Sequence, residues 1–174
     1  SLPDSIEDVA TSDLPSTGNV FGSYLSTNFA DNQVQSIQET SSGGPKRSRR
    51  QSYQHTWSFN VVGGVGGVMF KANAWVSGQE GAQFAYSTDG GANWQPLFII
   101  NSQTSGYQVQ ALLPNVSGQV LVRVTDSEQV NGEGADTVYI NQLVMTSYTS
   151  TPEAPTGPTD LSLLSSTNGQ VELQ

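Results

Sequence analysis

Between residues 53 and 76 the chain alternates apolar and polar side chains twice, and interrupts itself once, with glycine. "YQHTWSFNV" puts Tyr53, His55, Trp57, Phe59 and Val61 on one side of an extended backbone and Gln54, Thr56, Ser58 and Asn60 on the other. "VMFKANAWVS" repeats the pattern, with Val68, Phe70, Ala72, Ala74 and Val76 on its apolar side. A period of two fits a strand with one buried face. The "GGVGG" of residues 63–67 supplies the turn between the two. Comparable runs recur as "VFGSYLST", "QVQSIQET", "AQFAYST", "WQPLFII", "YQVQALL", "QVLVRVTD" and "TVYINQLVMTS". Turn signals about every ten residues give roughly nine strands. This predicts an all-β, two-sheet antiparallel β-sandwich of jelly-roll type rather than a helical or βαβ fold.

The strand pattern spans residues 20–148. Residues 1–19 carry Asp4, Glu7, Asp8 and Asp13 with Pro3, Pro15 and Gly18, and read as an acidic linker or tail. Residues 149–160, with Pro152, Pro155 and Pro158 among Thr and Gly, read as a stiff Pro/Thr-rich linker. The segment 161–174, "LSLLSSTNGQVELQ", follows that linker with a Leu-rich run and a Gly-led strand. It resembles the opening of a fibronectin type III module, which implies an incomplete domain cut from a longer multidomain protein.

Composition removes several chemistries. There is no cysteine, so disulfides, thiolate catalysis and Cys-ligated metals are excluded. A formal net charge of −9 opposes binding to nucleic acid or to an anionic membrane surface. No apolar run approaches the ~20 residues that span a bilayer, and the first residues lack the basic and apolar regions of a signal peptide. A cysteine-free, Gly- and Ser-rich sandwich suits an exported bacterial or archaeal protein, extracellular or on the cell surface, of which this chain is a mature form or an excised segment.

Four features carry candidate chemistry. "YSTDGGANW" places Ser87, Asp89, Gly91 and Trp94 at Asp-box spacing, a motif that serves as a structural hairpin turn and that a sialidase would repeat. His55, the only histidine, shares a face with Trp57 and Phe59 and reads as a core histidine bonded to a neighbour. Asp31 and Glu39 lie early in the sandwich and Asp136 lies late. If first and last strands are neighbours, these three would form an oxygen cage suited to Ca²⁺. Trp75, Lys71 and Asn73 sit opposite the apolar face of their strand and offer an aromatic platform with polar neighbours, the pattern that polysaccharide recognition needs. Tyr139 and Asn141, and Gln108 and Gln110, are placed to join it.

The basic loop "PKRSRR" holds Lys46, Arg47, Arg49 and Arg50, four of the six Lys and Arg in the chain. It either neutralises acidic loops of the protein itself, the favoured reading, or uses its Arg forks to recognise sulfated or uronic-acid polysaccharide or an acidic partner.

Taken together, "GSYLSTN", "QSIQE", "SYQHTWSFNV", "FAYSTDGGANW", "LVRVTDSEQ" and "GADTVYINQLVM" resemble the non-catalytic jelly-roll accessory modules of secreted bacterial multidomain proteins. The resemblance implies an accessory role, with carbohydrate binding, a structural Ca²⁺ or cell adhesion among the family's uses. No enzymatic activity is expected: none of the acids sits in a recognisable catalytic motif. The function expected is carbohydrate binding or surface attachment. Its rival is a structural spacer or filament subunit that assembles when a terminal segment, 1–19 or 161–174, adds a strand to a neighbouring sheet.

Overall fold

The computed structural model describes residues 4–112, 116–128 and 134–151, together with the backbone of 163–167 and 170–173. Its strands are β1 (Ser5–Thr17), β2 (Asn19–Phe21), β3 (Gln35–Gln38), β4 (Thr40–Ser41), β5 (Gln51–Ser52), β6 (Gln54–Val61), β7 (Val68–Val76), β8 (Ala82–Ser87), β9 (Gln95–Ile100), β10 (Tyr107–Ala111), β11 (Gly118–Asp126), β12 (Thr137–Tyr148), β13 (Leu163–Thr167) and β14 (Gln170–Leu173). One 3₁₀ turn, Tyr24–Thr27, occupies part of the run expected to be a strand after Val20. Among the described residues no helix is long and apolar enough to cross a membrane.

The chain is an antiparallel β-sandwich. One sheet runs β10–β7–β12, and the far edge of β12 is divided between β3, itself flanked by β2, and the first half of β1. The other runs from the second half of β1 through β6, β11 and β8 to β9. Between them lie the alternate residues the sequence marks as apolar. Trp57, Phe59, Phe70 and Phe84 are fully buried. The rings of Phe70 and Phe84 stand 6.3 Å apart, and those of Phe84 and Phe98 5.4 Å. Such aromatic contacts add to the free energy of burial itself.

Residues 5–17 overturn the linker reading of 1–19. They form the longest strand among the described residues, and it belongs to both sheets. Ser5–Val9 pair with Val144–Tyr148, and Ala10–Thr17 pair with Gln54–Phe59. Register shifts at Ala10/Ser12 and Leu14/Thr17 reset the alternation twice, as β-bulges do. The second shift spans Pro15, whose missing N–H suits a bulge. The polar residues are used rather than spare. Thr11 Oγ1 donates to the Ser58 carbonyl at 3.0 Å, and Asp8 Oδ2 accepts the Val62 N–H at 2.9 Å. An N-terminal segment so engaged is not free to add to a neighbouring sheet. β13 and β14 form an antiparallel hairpin; the side chains that would test a fibronectin type III likeness lie outside the described residues.

Candidate functional site

The outer face of the first sheet gathers aromatic and polar groups row by row. Trp75 on β7 pairs with Tyr139 on β12, Tyr139 pairs with Ser36 on β3, and Ser36 pairs with Phe21 on β2. Directly opposed residues of antiparallel strands project to the same side, so Trp75, Tyr139, Ser36 and Phe21 form one line across four strands. The Trp75 and Tyr139 rings lie 5.4 Å apart and within 15° of parallel. Both are half-buried, and Phe21 is 61% exposed.

The adjoining row is polar. Asn73 pairs with Tyr107 on one side and with Gln142 on the other. Tyr107 Oη donates to Gln142 Oε1 at 2.9 Å, and Lys71 Nζ stands 5.2 Å from the Tyr107 ring centroid, within cation–π range. Asn73 is 8% exposed, and its Oδ1 has no hydrogen-bond partner. A buried acceptor without a donor is costly.

Trp75, Lys71 and Asn73 therefore share the face expected of them, but two companions differ. A bulge between Ile140 and Gln142 puts Gln142, not Asn141, opposite Asn73. Asn141 is instead buried and accepts the Asn32 N–H. Gln108 and Gln110 oppose Ala72 and Phe70, the inward residues of β7, so Tyr107 and Val109 take the platform side. Alternation along single strands misses Tyr107 and Phe21, because only strand pairing reveals their neighbours.

Three carboxylates meet at the end of the sandwich where β3 and β11 finish, and Asp136, at the start of β12, is hydrogen-bonded to two of the residues that carry them. Oxygens of Glu39, Glu80 and Asp126 lie within 4.8 Å of one another. Asp136 is tied in by its backbone: its N–H donates to Glu39 Oε2 at 2.8 Å, and its carbonyl accepts the Glu39 N–H at 2.9 Å. Asp136 Oδ2 accepts the Glu80 N–H at 3.3 Å. A Cβ at position 78 would collide with the Asp136 carboxylate, so Gly78 makes room for it. Glu39 is 3% exposed, and its Oε1 has no hydrogen-bond partner. Burial, reinforced by Asp126, Glu80 and Asp136, pushes Glu39 up to about 7. Burial raises Asp126 as well.

Two of the three expected metal residues, Glu39 and Asp136, thus come together. Asp31 does not join them; its Oδ1 accepts the Gln33 N–H in an exposed turn. The sequence leaves Glu80 and Asp126 unassigned because they lie far apart in the chain, Glu80 in the loop before β8 and Asp126 at the end of β11, and meet only through the pairing of those two strands.

The basic loop joins β4 to β5, two short strands paired at Thr40–Ser52 and Ser41–Gln51. Its turn is laced internally. Ser48 N–H donates to the Pro45 carbonyl, Arg49 Nη2 to the Gly44 carbonyl at 3.0 Å, and the Arg50 N–H to Ser42 Oγ at 3.0 Å. Lys46, Arg47 and Arg50 are exposed. Among the described residues the one ion pair is His55–Asp13, so none of their carboxylates pairs with the loop. Glu133, in the acidic loop that the charge-balance reading invokes, lies outside the described residues.

Two other expectations concern structure rather than binding. At the β8–β9 turn, Ser87 Oγ donates to Asp89 Oδ1 at 2.7 Å and accepts the Gly91 N–H, while Asp89 Oδ1 accepts the Asn93 N–H. Gly90 and Gly91 have φ of 74° and 93°, the left-handed region that favours glycine. Trp94 folds back against Arg123, whose guanidinium lies 4.1 Å from the ring centroid.

His55 is a core residue. Its Nε2 lies 2.9 Å from Asp13 Oδ1, which also accepts Gln35 Nε2 at 3.0 Å, and Gln35 Oε1 accepts Trp57 Nε1–H at 2.7 Å. An ionised carboxylate only accepts, so Nε2 carries the proton. Burial holds His55 below its ordinary 6.5. Burial pushes Asp13 up, but the hydrogen bonds from Gln35, Tyr24 and His55 together leave it below 3.8. Both shifts act in one direction. His55 contributes stability that is lost as pH falls below 6.5, and Asp13 contributes stability lost below 3.8. Glu39 acts in the opposite sense over the same interval, so the His55 share shows as a difference between proteins. From about pH 7 to about pH 5 the wild type should lose stability to urea relative to His55→Gln, which keeps a donor for Asp13. Parallel pH profiles in the two proteins would remove His55 as a titrating group.

No protein-family model matches the chain, and no curated protein matches it. Solved structures resemble it at low identity. A family 61 carbohydrate-binding module, TmCBM61, in complex with β-1,4-galactotriose is 10% identical, with 75% of this chain and 86% of that one covered and a TM-score of 0.48. A point mutant of the family 29 module CBM29-2, complexed with mannohexaose, is 13% identical, covering 84% and 94%, with a TM-score of 0.45. The CBM22-1 xylan-binding domain of Paenibacillus barcinonensis Xyn10C is 10% identical, covering 85% and 97%, with a TM-score of 0.41.

Proposed function

We propose that this chain is a non-catalytic, extracellular module that binds polysaccharide on the outer face of the β10–β7–β12–β3–β2 sheet. The observation that carries the reading is the nearly parallel, half-exposed pair Trp75 and Tyr139 beside the polar row of Tyr107, Asn73 and Gln142. A pyranose ring offers an apolar face to aromatic rings and hydroxyls to a polar row, so one ligand answers both. Phe21 extends the row by two strands, about 10 Å at ordinary strand spacing, which suits a chain laid across the strands.

A calcium ion at Glu39, Glu80, Asp126 and Asp136 belongs to the same proposal. Clustered carboxylate oxygens, one of them buried without a hydrogen bond, suit a hard cation that tolerates irregular oxygen coordination.

The test is calorimetric titration with β-1,4-galactan, β-mannan and xylan, and with polygalacturonate. Trp75→Ala and Tyr139→Ala should each weaken binding at least about tenfold, the equivalent of about 1.4 kcal/mol, without moving the thermal midpoint much. Binding that both variants retain in full would show that the ligand lies elsewhere.

A further inference from the structure

We infer that the polysaccharide is anionic, bearing carboxylate or sulfate groups, and that the β4–β5 hairpin is its second contact. The inference rests on the platform being the glycan face. Of six Lys and Arg in the chain, Lys46, Arg47, Arg49 and Arg50 lie on the hairpin and Lys71 on the platform; the sixth, Arg123, is stacked on Trp94. Five of six cations thus stand on two surface features, in a protein of net charge −9.

None of the five is spent on a carboxylate among the described residues. This is unexpected next to the acid cluster, because Glu39 immediately precedes β4. The loop does not fold back on it. Its own hydroxyls and carbonyls fix the turn, and Arg49 serves that turn through the Gly44 carbonyl. Lys46, Arg47 and Arg50 are left facing solvent. A cation held by a scaffold rather than by a carboxylate is ready for an external anion, and Arg pairs bidentately with carboxylate or sulfate.

The two features adjoin. β3 ends at Gln38, opposite Thr137, and the hairpin leaves from the next residues. Tyr139 and its partner Trp75 lie two residues along from Thr137, about 7 Å at strand rise. A glycan crossing the sheet on that row passes the root of the hairpin. An aromatic row beside the cations favours a polysaccharide over an acidic peptide, which has no use for ring stacking. The modest charge density of a uronate or sulfated chain also meets less repulsion from the acidic body than nucleic acid does.

The experiment titrates the full chain with polygalacturonate, with fully methyl-esterified polygalacturonate, with a sulfated galactan, with polyglutamate and with single-stranded DNA. Tighter binding of an acidic glycan than of the esterified one, by at least tenfold and weakening with salt, is the expected result, and the preferred acidic chain identifies the anion. The variant K46Q/R47Q/R50Q should lose at least tenfold with its thermal midpoint unchanged. Esterified or neutral glycan bound as tightly, through Trp75 but indifferent to the hairpin variant, overturns this inference and leaves the platform reading standing. Failure to bind any glycan overturns both. Equal affinity for polyglutamate or single-stranded DNA overturns the glycan assignment of the hairpin.

Discussion

A chain that begins at residue 20 should not fold. The sequence makes residue 20 look like the natural start, so a domain cut there is the obvious one to prepare. Yet removing β1 strips a partner strand from both sheets at once: Val144–Tyr148 on β12 and Gln54–Phe59 on β6 lose their antiparallel neighbour. It also removes Asp13, the acceptor for His55 Nε2–H, Gln35 Nε2–H and the Tyr24 N–H. Each of these is a hydrogen bond to a charged acceptor, worth about 1.5–3 kcal/mol. Three of them, added to the lost ladder, match or exceed the roughly 5–15 kcal/mol by which a domain is stable. The shortened chain should show collapsed amide dispersion by NMR and no cooperative melt. A peptide of residues 1–19 added in trans should restore both, since β1 docks between two existing edges. A chain from residue 20 that melts cooperatively near the full-length midpoint would show that β1 is dispensable.

That error of reading has a physical source. β6 and β7 are legible because each keeps strict alternation over eight or nine residues, with one face apolar except for His55. β1 has two register shifts and a polar composition, so alternation does not survive along it. Its acids are hydrogen-bond acceptors for distant backbone, which composition reports only as negative charge. The platform is legible in part for the same reason. Trp75, Asn73 and Lys71 share a strand, so period two groups them, whereas Tyr107, Gln142 and Phe21 join through pairing register and one bulge. In the acid cluster, a neighbour argument about early and late strands finds Glu39 and Asp136. Nothing local distinguishes Asp31, an exposed turn acid, from Glu80, which the β7–β8 loop carries into the cluster.

Calcium should stabilise the folded chain strongly, and Glu39 should account for the response. Without a cation, the fold holds Glu39 buried against three other carboxylates, with one oxygen unbonded. A group pushed up to about 7 from 4.5 favours the folded state when protonated, so this part of the stability fades as pH rises through that interval. A bound Ca²⁺ reverses the sign of the local field and gives the free oxygen a partner. At a free concentration about a hundredfold over Kd, the gain is about 2.7 kcal/mol, roughly 5–10 °C in a domain of this size. EDTA should remove it, and Mg²⁺, which demands a tight octahedron, should give less. Glu39→Gln separates the two effects. The variant should lose the calcium shift, yet in EDTA at about pH 8 it should melt above the wild type, because a buried charge has gone. Asp31→Asn should keep the full shift. A Glu39→Gln protein that still gains as much from calcium as the wild type would place the ion elsewhere. One that melts lower in EDTA would mean that Glu39 serves the fold through its hydrogen bond to Asp136 alone.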